Sequence, residues 1–210
     1  MKTLVVAATK AELTFLYQHF NLPEEDFIEA RNFDILITGV GMVATAFALG
    51  KHLSPIKYAL VLNLGIAGSF DRNIVLGSVL NITKDTFSEL GAENHNEFLS
   101  ITDLGFGDNQ YHSKYTKTVD LPTASSLTVN CVTGSEKSIV ALLKRFNPTT
   151  ESMEGAAVFY ACQQYNIECL QIRSISNYVE PRNKENWKIG LAIKNLNDWS
   201  ISFLGEMNYQ

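Results

Sequence analysis

The sequence predicts an α/β fold, one domain over residues 1–210 with a central mixed, largely parallel β-sheet flanked by helices. Three observations lead there. Short apolar runs are continuous and rich in β-branched residues, the pattern of strands covered on both faces rather than one. They alternate with segments whose apolar residues recur at helical spacing, and such alternation packs as layers around a parallel sheet. No repeat, low-complexity tract or linker divides the 210 residues, a length that suits one such domain.

Taken in order, Leu4-Val5-Val6-Ala7-Ala8 reads as a buried strand, after which Thr9 can cap a helix carrying Leu13, Leu16 and Phe20. Residues 34–38 form a second strand ending in Gly39-Val40-Gly41, and residues 42–52 a helix with many small residues on one face. Residues 58–64 are a further buried strand that stops at Gly65-Ile66-Ala67-Gly68, and residues 75–83 are β-rich with Gly77 at a turn or bulge. The stretch 85–126 is irregular and polar, the pattern of a functional loop region. Residues 127–133 then read as strand, 136–146 and 154–165 as helices, 169–176 as strand and 187–204 as a closing helix. Ligands of such sheets gather beyond the carboxyl ends of the strands. Residues 8–12, 65–68, 133–135 and 176–177 are therefore expected to meet at one site.

Composition narrows the class of function. A formal net charge of −5 supplies no broad basic field, so neither nucleic-acid backbone nor an acidic membrane is an expected partner. The N-terminal apolar run meets Lys10 and Glu12 too soon for a signal peptide, and no segment approaches the roughly 18 apolar residues of a membrane span. Cys131, Cys162 and Cys169 are scattered without metal-like spacing and read as buried small residues in a reducing compartment. The expected location is cytoplasmic. His19, His52, His95 and His112 show no metal spacing, and no Gly-x-Ser-x-Gly elbow marks a serine hydrolase.

Four segments carry residues of chemical interest. Glu12 follows the first strand, where a carboxylate either meets the positive end of a helix or, in a cleft, serves as a general base toward water. Gly65-Ile66-Ala67-Gly68 lets a ligand approach the backbone closely, and no Gly-Lys-Ser or Gly-Lys-Thr follows to make it a Walker loop. Gly39-Val40-Gly41 lacks the third glycine of a dinucleotide fingerprint. In Ser152-Met153-Glu154-Gly155-Ala156-Ala157 an acid opens a small, apolar helix. Ser152 or Thr150 can cap that helix, but capping leaves Met153 unexplained. A sugar site explains it, with Met153 against the ribose face and Glu154 accepting from its hydroxyls. Arg173 and Asn177 lie four apart on a strand and so share one side. A buried Arg173 needs a carboxylate or a ligand, either as a structural ion pair or in a site.

In order along the chain, Ala8-Thr9-Lys10-Ala11-Glu12, Asn63-Leu64-Gly65-Ile66-Ala67-Gly68, Ser152-Met153-Glu154-Gly155-Ala156-Ala157 and Arg173-Ser174-Ile175-Ser176-Asn177 resemble the purine nucleoside phosphorylase and nucleosidase superfamily. The nearest branch is similar to the methylthioadenosine/S-adenosylhomocysteine nucleosidases. The resemblance implies that Glu12 activates the attacking water, that Met153 and Glu154 bind ribose, and that Arg173 lies near the water and its carboxylate. Ser152, Ser176, Gly65 and Ile66 fall among the substrate-binding positions, and Ile66 replaces a serine of the adenine-specific enzymes. Asn177 stands where those enzymes carry an aspartate that contacts the base. An asparagine donates at neutral pH without being protonated, to N7 and to a carbonyl at base position 6, which argues for a 6-oxopurine such as hypoxanthine.

The acid in the first loop opposes phosphate, so hydrolysis is expected over phosphorolysis, with no metal or organic cofactor. The tail Ser176-Asn177-Tyr178-Val179-Glu180-Pro181-Arg182-Asn183, with Trp187-Lys188-Ile189 beyond it, resembles the futalosine hydrolases of the futalosine route to menaquinone. Arg182 or Lys188 either meets the carboxylate of such a substrate or is solvated surface. The resemblance also implies a homo-oligomer, a dimer or larger. The competing expectations are an adenine nucleosidase, a purine phosphorylase and a nucleoside-binding module without turnover.

Overall fold

The computed structural model describes residues 1–54, 56–95 and 97–207. Strand β1 (Lys2–Ala7) is the continuous apolar run, and its side chains alternate between two cores. Leu4 and Val6 pack on one face of the sheet, Val5 and Ala7 on the other. This is why the run shows no polar alternation. A 3-10 turn (Lys10–Leu13) leads into helix α1 (Thr14–His19), splitting the single helix expected there. Strands β2 (Phe27–Glu29) and β3 (Phe33–Ile37) follow, then helix α2 (Met42–His52) with the predicted bounds. The β2 segment, three residues at the sheet edge, carried too little pattern to be predicted.

Strand β4 (Tyr58–Ser69) runs five residues beyond the expected stop, straight through the glycine segment. Strand β5 (Val79–Phe87) begins after a turn at Gly77, whose φ of +90° is a left-handed value that suits glycine. The stretch expected to be irregular contains a hairpin of β6 (Gly91–Asn94) and β7 (Glu97–Ser100), then the short β8 (Gln110–His112). Strand β9 (Thr123–Thr128) lies a few residues before its expected position, and helix α3 (Glu136–Phe146) matches it. Thr150–Ser152 is strand β10 rather than a helix cap, and Glu154 itself occupies the N-cap of helix α4 (Gly155–Tyr165). Strand β11 (Glu168–Tyr178) and helix α5 (Ile189–Met207) complete the chain order.

The large sheet is mixed. Strands β3, β1, β4 and β11 run parallel side by side, as do β5, β9 and β10, and antiparallel β11–β5 and β10–β4 pairings join the two groups. Strands β4, β11, β5, β9 and β10 therefore close into a five-membered, barrel-like ring. The join depends on the length of β4. Its partner β1 ends opposite Asn63, and β10 takes up the vacated edge at Gly68 and Ser69. Helices α2 and α4 cover one face of the sheet, and α1 and α5 the other. Ring closure carries the start of α4 to the carboxyl ends of β1, β4 and β11, and that places the site. Among the described residues no helix is long and apolar enough to cross a membrane.

Candidate active site

A cavity of about 280 Å³ opens at this end of the ring. Its walls come from the turn after β1, the end of β4, the β10–α4 junction, the end of β11 and the start of α5, which is the convergence expected from the sheet rule. Glu12, Ile66, Ser152, Met153, Glu154, Ser176 and Asn177 all line it. Gly65 and Arg173 do not, and they stand behind the wall. Of residues 133–135 none lines the cavity, and Thr133 meets it through its hydrogen bonding to Glu151.

Glu12 is held by its own turn. Its Oε2 accepts from the Thr9 N–H and hydroxyl, both at 3.0 Å, and its Oε1 accepts from the Ile66 N–H at 3.2 Å. Asn197 of α5, a residue the sequence did not single out, ties this turn down. It donates to the Glu12 carbonyl and accepts from the Leu16 N–H, each at 2.8 Å. Burial pushes the Glu12 carboxyl above its ordinary range. The Arg173 charge and the Ile66 amide oppose the rise, and the nearby Glu154 adds to it. Glu12 thus closes a capping turn and lines the cavity with a carboxyl that burial raises.

Arg173 is 1% exposed, and none of the ion pairs among the described residues includes it. Its Nη1 donates to the carbonyls of Asn63 and Ile172 at 3.4 and 3.2 Å, and its Nε has no partner. The structural ion pair is therefore not formed, and Arg173 acts on Glu12 as a charge at longer range. Gly65, its register partner on β4, makes room for both groups. A Cβ there would lie 3.1 Å from Arg173 Nη1 and 3.1 Å from Glu12 Oε1.

On the opposite wall Glu154 accepts from the Gly41 N–H at 2.9 Å. The Gly39-Val40-Gly41 segment thus orients this carboxylate, with Gly41 at φ +91°. Beneath it lies a continuous chain of buried polar groups. Asp85 accepts from Thr128 Oγ1 at 2.8 Å and from Gln171 Nε2 at 2.7 Å. Gln171 in turn accepts from Asn63, and Thr128 from the Ala156 N–H at the start of α4. Complete burial pushes Asp85 up to about 6, against the lowering hydrogen bonds of Gln171 and Thr128. Gly155 is a glycine because a Cβ there would overlap the Asp85 carboxyl.

Asn177 is fixed by two hydrogen bonds. Its Oδ1 accepts from the Ser176 hydroxyl at 2.8 Å, and its Nδ2 donates to the Tyr178 carbonyl at 3.0 Å. A carbonyl can only accept, so the amide orientation is determined. One of the two amide hydrogens is thereby committed, and a single N–H is left for a ligand, not the two expected from sequence.

Glu151 was not anticipated. It is 3% exposed and lines the cavity beside Ser152. Its position before the sugar motif, in a strand too short to show periodicity, gave no signal. Trp187 also lines the cavity, with the exposed Arg182 stacked over its ring at 5.0 Å. Lys188 is exposed, as are His19, His95 and His112, while Cys131 is exposed against the expectation of burial. Among the described residues no cluster of His, Cys, Asp or Glu is disposed to hold a metal ion.

The chain matches the family model described as the phosphorylase superfamily over residues 4–203. It is 34% identical to the futalosine hydrolase of Streptomyces coelicolor over 178 residues, 79% of this chain and 75% of that one. Two solved structures from Helicobacter pylori, a futalosine hydrolase and a 5'-methylthioadenosine/S-adenosylhomocysteine nucleosidase, each superpose with a TM-score of 0.83 at 15% identity. They cover 98% of this chain, and it covers 98% and 99% of theirs. The fold is common to both, so the fold alone does not choose between them.

Proposed function

This chain belongs to the phosphorylase superfamily, and from that premise we propose that it hydrolyses the N-glycosidic bond of futalosine, releasing hypoxanthine and dehypoxanthine futalosine in menaquinone biosynthesis. The observation that carries the reading is Asn177. Its Oδ1 accepts from the Ser176 hydroxyl and its Nδ2 donates to the Tyr178 carbonyl, which leaves one amide N–H to offer a ligand. That N–H suits O6 of a 6-oxopurine, where adenine presents an amino group, itself a donor.

In the proposed reaction Glu12 removes a proton from water as the oxygen adds to the anomeric carbon. The bond from that carbon to N9 breaks and its electron pair passes to the departing base. The base takes up a proton from solvent to leave as neutral hypoxanthine. Asn177 donates where that negative charge develops. Glu154 accepts from the ribose hydroxyls, Met153 packs on the ribose, and the two carboxylates favour the cationic sugar between them. Ser152 and Ile66 complete the substrate wall. Arg173, Gly65 and Ser176 are positioning residues, acting through Glu12 and Asn177.

The chain is proposed to work as a cytoplasmic homo-oligomer. A second, larger groove of about 650 Å³, lined by Met42, Val43, Phe106 and Tyr160, lies along α2 and α4. Val43, Phe47 and Phe106 are 79%, 70% and 81% exposed, an apolar surface of the kind that marks a protein interface.

Incubation with futalosine, inosine and methylthioadenosine in phosphate-free buffer, with released base measured, tests the activity. Hypoxanthine from futalosine is the expected product. Release of adenine alone, or a strict need for phosphate, would overturn the reading.

A further inference from the structure

Three buried polar atoms around the cavity lack a hydrogen-bond partner: Glu151 Oε2, Ser152 Oγ and Arg173 Nε. Glu151 is the most telling. A carboxylate with an unpartnered oxygen in the protein interior is costly, and such an arrangement persists where a ligand completes it. Its other oxygen, Oε1, accepts from the Thr133 N–H at 2.9 Å, which fixes the side chain. The protein places no cation on it, since the ion pairs among the described residues do not include it.

Position relates Glu151 to the base. Strand β10 sets Glu151 opposite Gly68 in the antiparallel register, and β11 sets Asn177 opposite the same glycine from the other side. A Cβ on Gly68 would lie 3.2 Å from Asn177 Nδ2 and 3.7 Å from Glu151 Cγ. The donor of Asn177 and the carboxylate of Glu151 thus flank one bare stretch of backbone in the cavity wall. We propose that Glu151 is a specificity-determining residue that accepts the N1–H of a 6-oxopurine, while Asn177 donates to the adjoining edge of the same ring. The inference rests on the reading of the site as a hypoxanthine nucleosidase. Hypoxanthine carries a proton on N1 and adenine carries a lone pair there, so a carboxylate attracts the first and repels the second. Asn177 and Glu151 then read neighbouring positions of one base, each rejecting adenine for a different reason.

The test compares wild type with Glu151→Gln. In the variant the amide oxygen is drawn to the Thr133 N–H, which leaves the NH₂ toward the base, a donor where an acceptor stood. Calorimetric affinities for free hypoxanthine and adenine, and kcat/KM for inosine and adenosine, are the readouts. The hypoxanthine-to-adenine preference is expected to fall by about 10–100-fold, the effect of losing one charge-assisted hydrogen bond and reversing its polarity. A ratio unchanged within about twofold overturns the role of Glu151 even if wild type hydrolyses futalosine. Absence of hypoxanthine release by wild type overturns the function itself, and free-base binding still tests Glu151. Should the variant not fold, 1-methylhypoxanthine decides on wild type. It lacks the N1–H, and binding equal to that of hypoxanthine overturns the proposal.

Discussion

Two buried polar regions lie within one turn of α4, and they are built on opposite terms. Around Asp85 each carboxylate oxygen has a side-chain donor, and the chain continues through Gln171 to Asn63 and through Thr128 to the Ala156 amide. At the cavity wall Glu151 and Ser152, and behind it Arg173, each keep a buried atom without a partner. Satisfied networks rigidify a fold, whereas unmet polar groups lower stability and persist where a ligand completes them. The difference separates scaffold from site. Asp85 holds the start of α4, and Glu154 at its N-cap, against the sheet, while the wall groups are the ones proposed to meet a substrate. Substitutions in the wall should therefore cost rate, and those in the network should cost stability.

The sharpest break in that contrast lies at Glu12. Glu12→Gln removes the base while keeping shape, so kcat should fall by about 10²–10⁴-fold, measured in single turnover with futalosine. Hypoxanthine affinity should stay close to wild type, while the thermal midpoint should fall by a few degrees. The new NH₂ faces a backbone N–H from which the carboxylate accepted, a loss that the smaller desolvation cost only partly offsets. Full turnover would remove Glu12 from the mechanism. A collapse of the midpoint would show instead that the capping turn, not catalysis, is its main task.

Asp85→Asn probes the other side. Either Gln171 or Thr128 would then donate toward an NH₂ group, and a lost buried hydrogen bond costs about 1–3 kcal/mol. For a chain of this length each kcal/mol lowers the midpoint by roughly 2–4 °C. The change in kcat/KM should stay within about threefold. Lost activity at an unchanged midpoint would place Asp85 in the chemistry. Wild type should also carry a pH signature that the variant lacks. The folded-state carboxyl sits at about 6, above its unfolded value. Its stabilising protonation is fully present below the unfolded value and is lost as pH rises through about 6.

The contrast was only half legible in the sequence. Glu12, Met153, Glu154 and Asn177, which line one cavity, could be singled out because each stands at the end of a regular element whose pattern is local. Helices α2 and α3 were bounded correctly for the same reason. What could not be read were features set by distant partners. Gly65 to Gly68 looked like a strand stop, because glycine usually breaks local order. In the fold they extend β4, since pairing with β11 and β10 holds them and their bareness admits Arg173, Glu12 and Asn177. Thr150–Ser152 was too short to declare itself a strand, so the ring closure that exposes Glu151 to the site stayed hidden. Asp85 looked like a loop residue, and Gly41 gave no hint of a hydrogen bond to a carboxylate 113 positions away.

Arg173 belongs to both regions and gives the finest test. Its charge lowers the carboxyls of both Glu12 and Asp85, yet it pairs directly with neither. Arg173→Met keeps the length of the side chain and removes the charge. With that opposing influence gone, burial should drive the Glu12 carboxyl higher still. Glu12 must be ionised to accept a proton from water, so rate is lost as pH falls through its pKa. The acid limb of the kcat/KM profile should therefore move to higher pH in the variant, and much of the rate should return on its alkaline side. An acid limb that stays in place while the plateau drops would mean that Arg173 touches the reacting groups rather than tuning Glu12. A shift to lower pH would contradict the electrostatic role altogether. Because the same charge lowers Asp85, the stability profile should move upward in pH together with the rate profile. If only one of the two moves, the two regions are not coupled through Arg173.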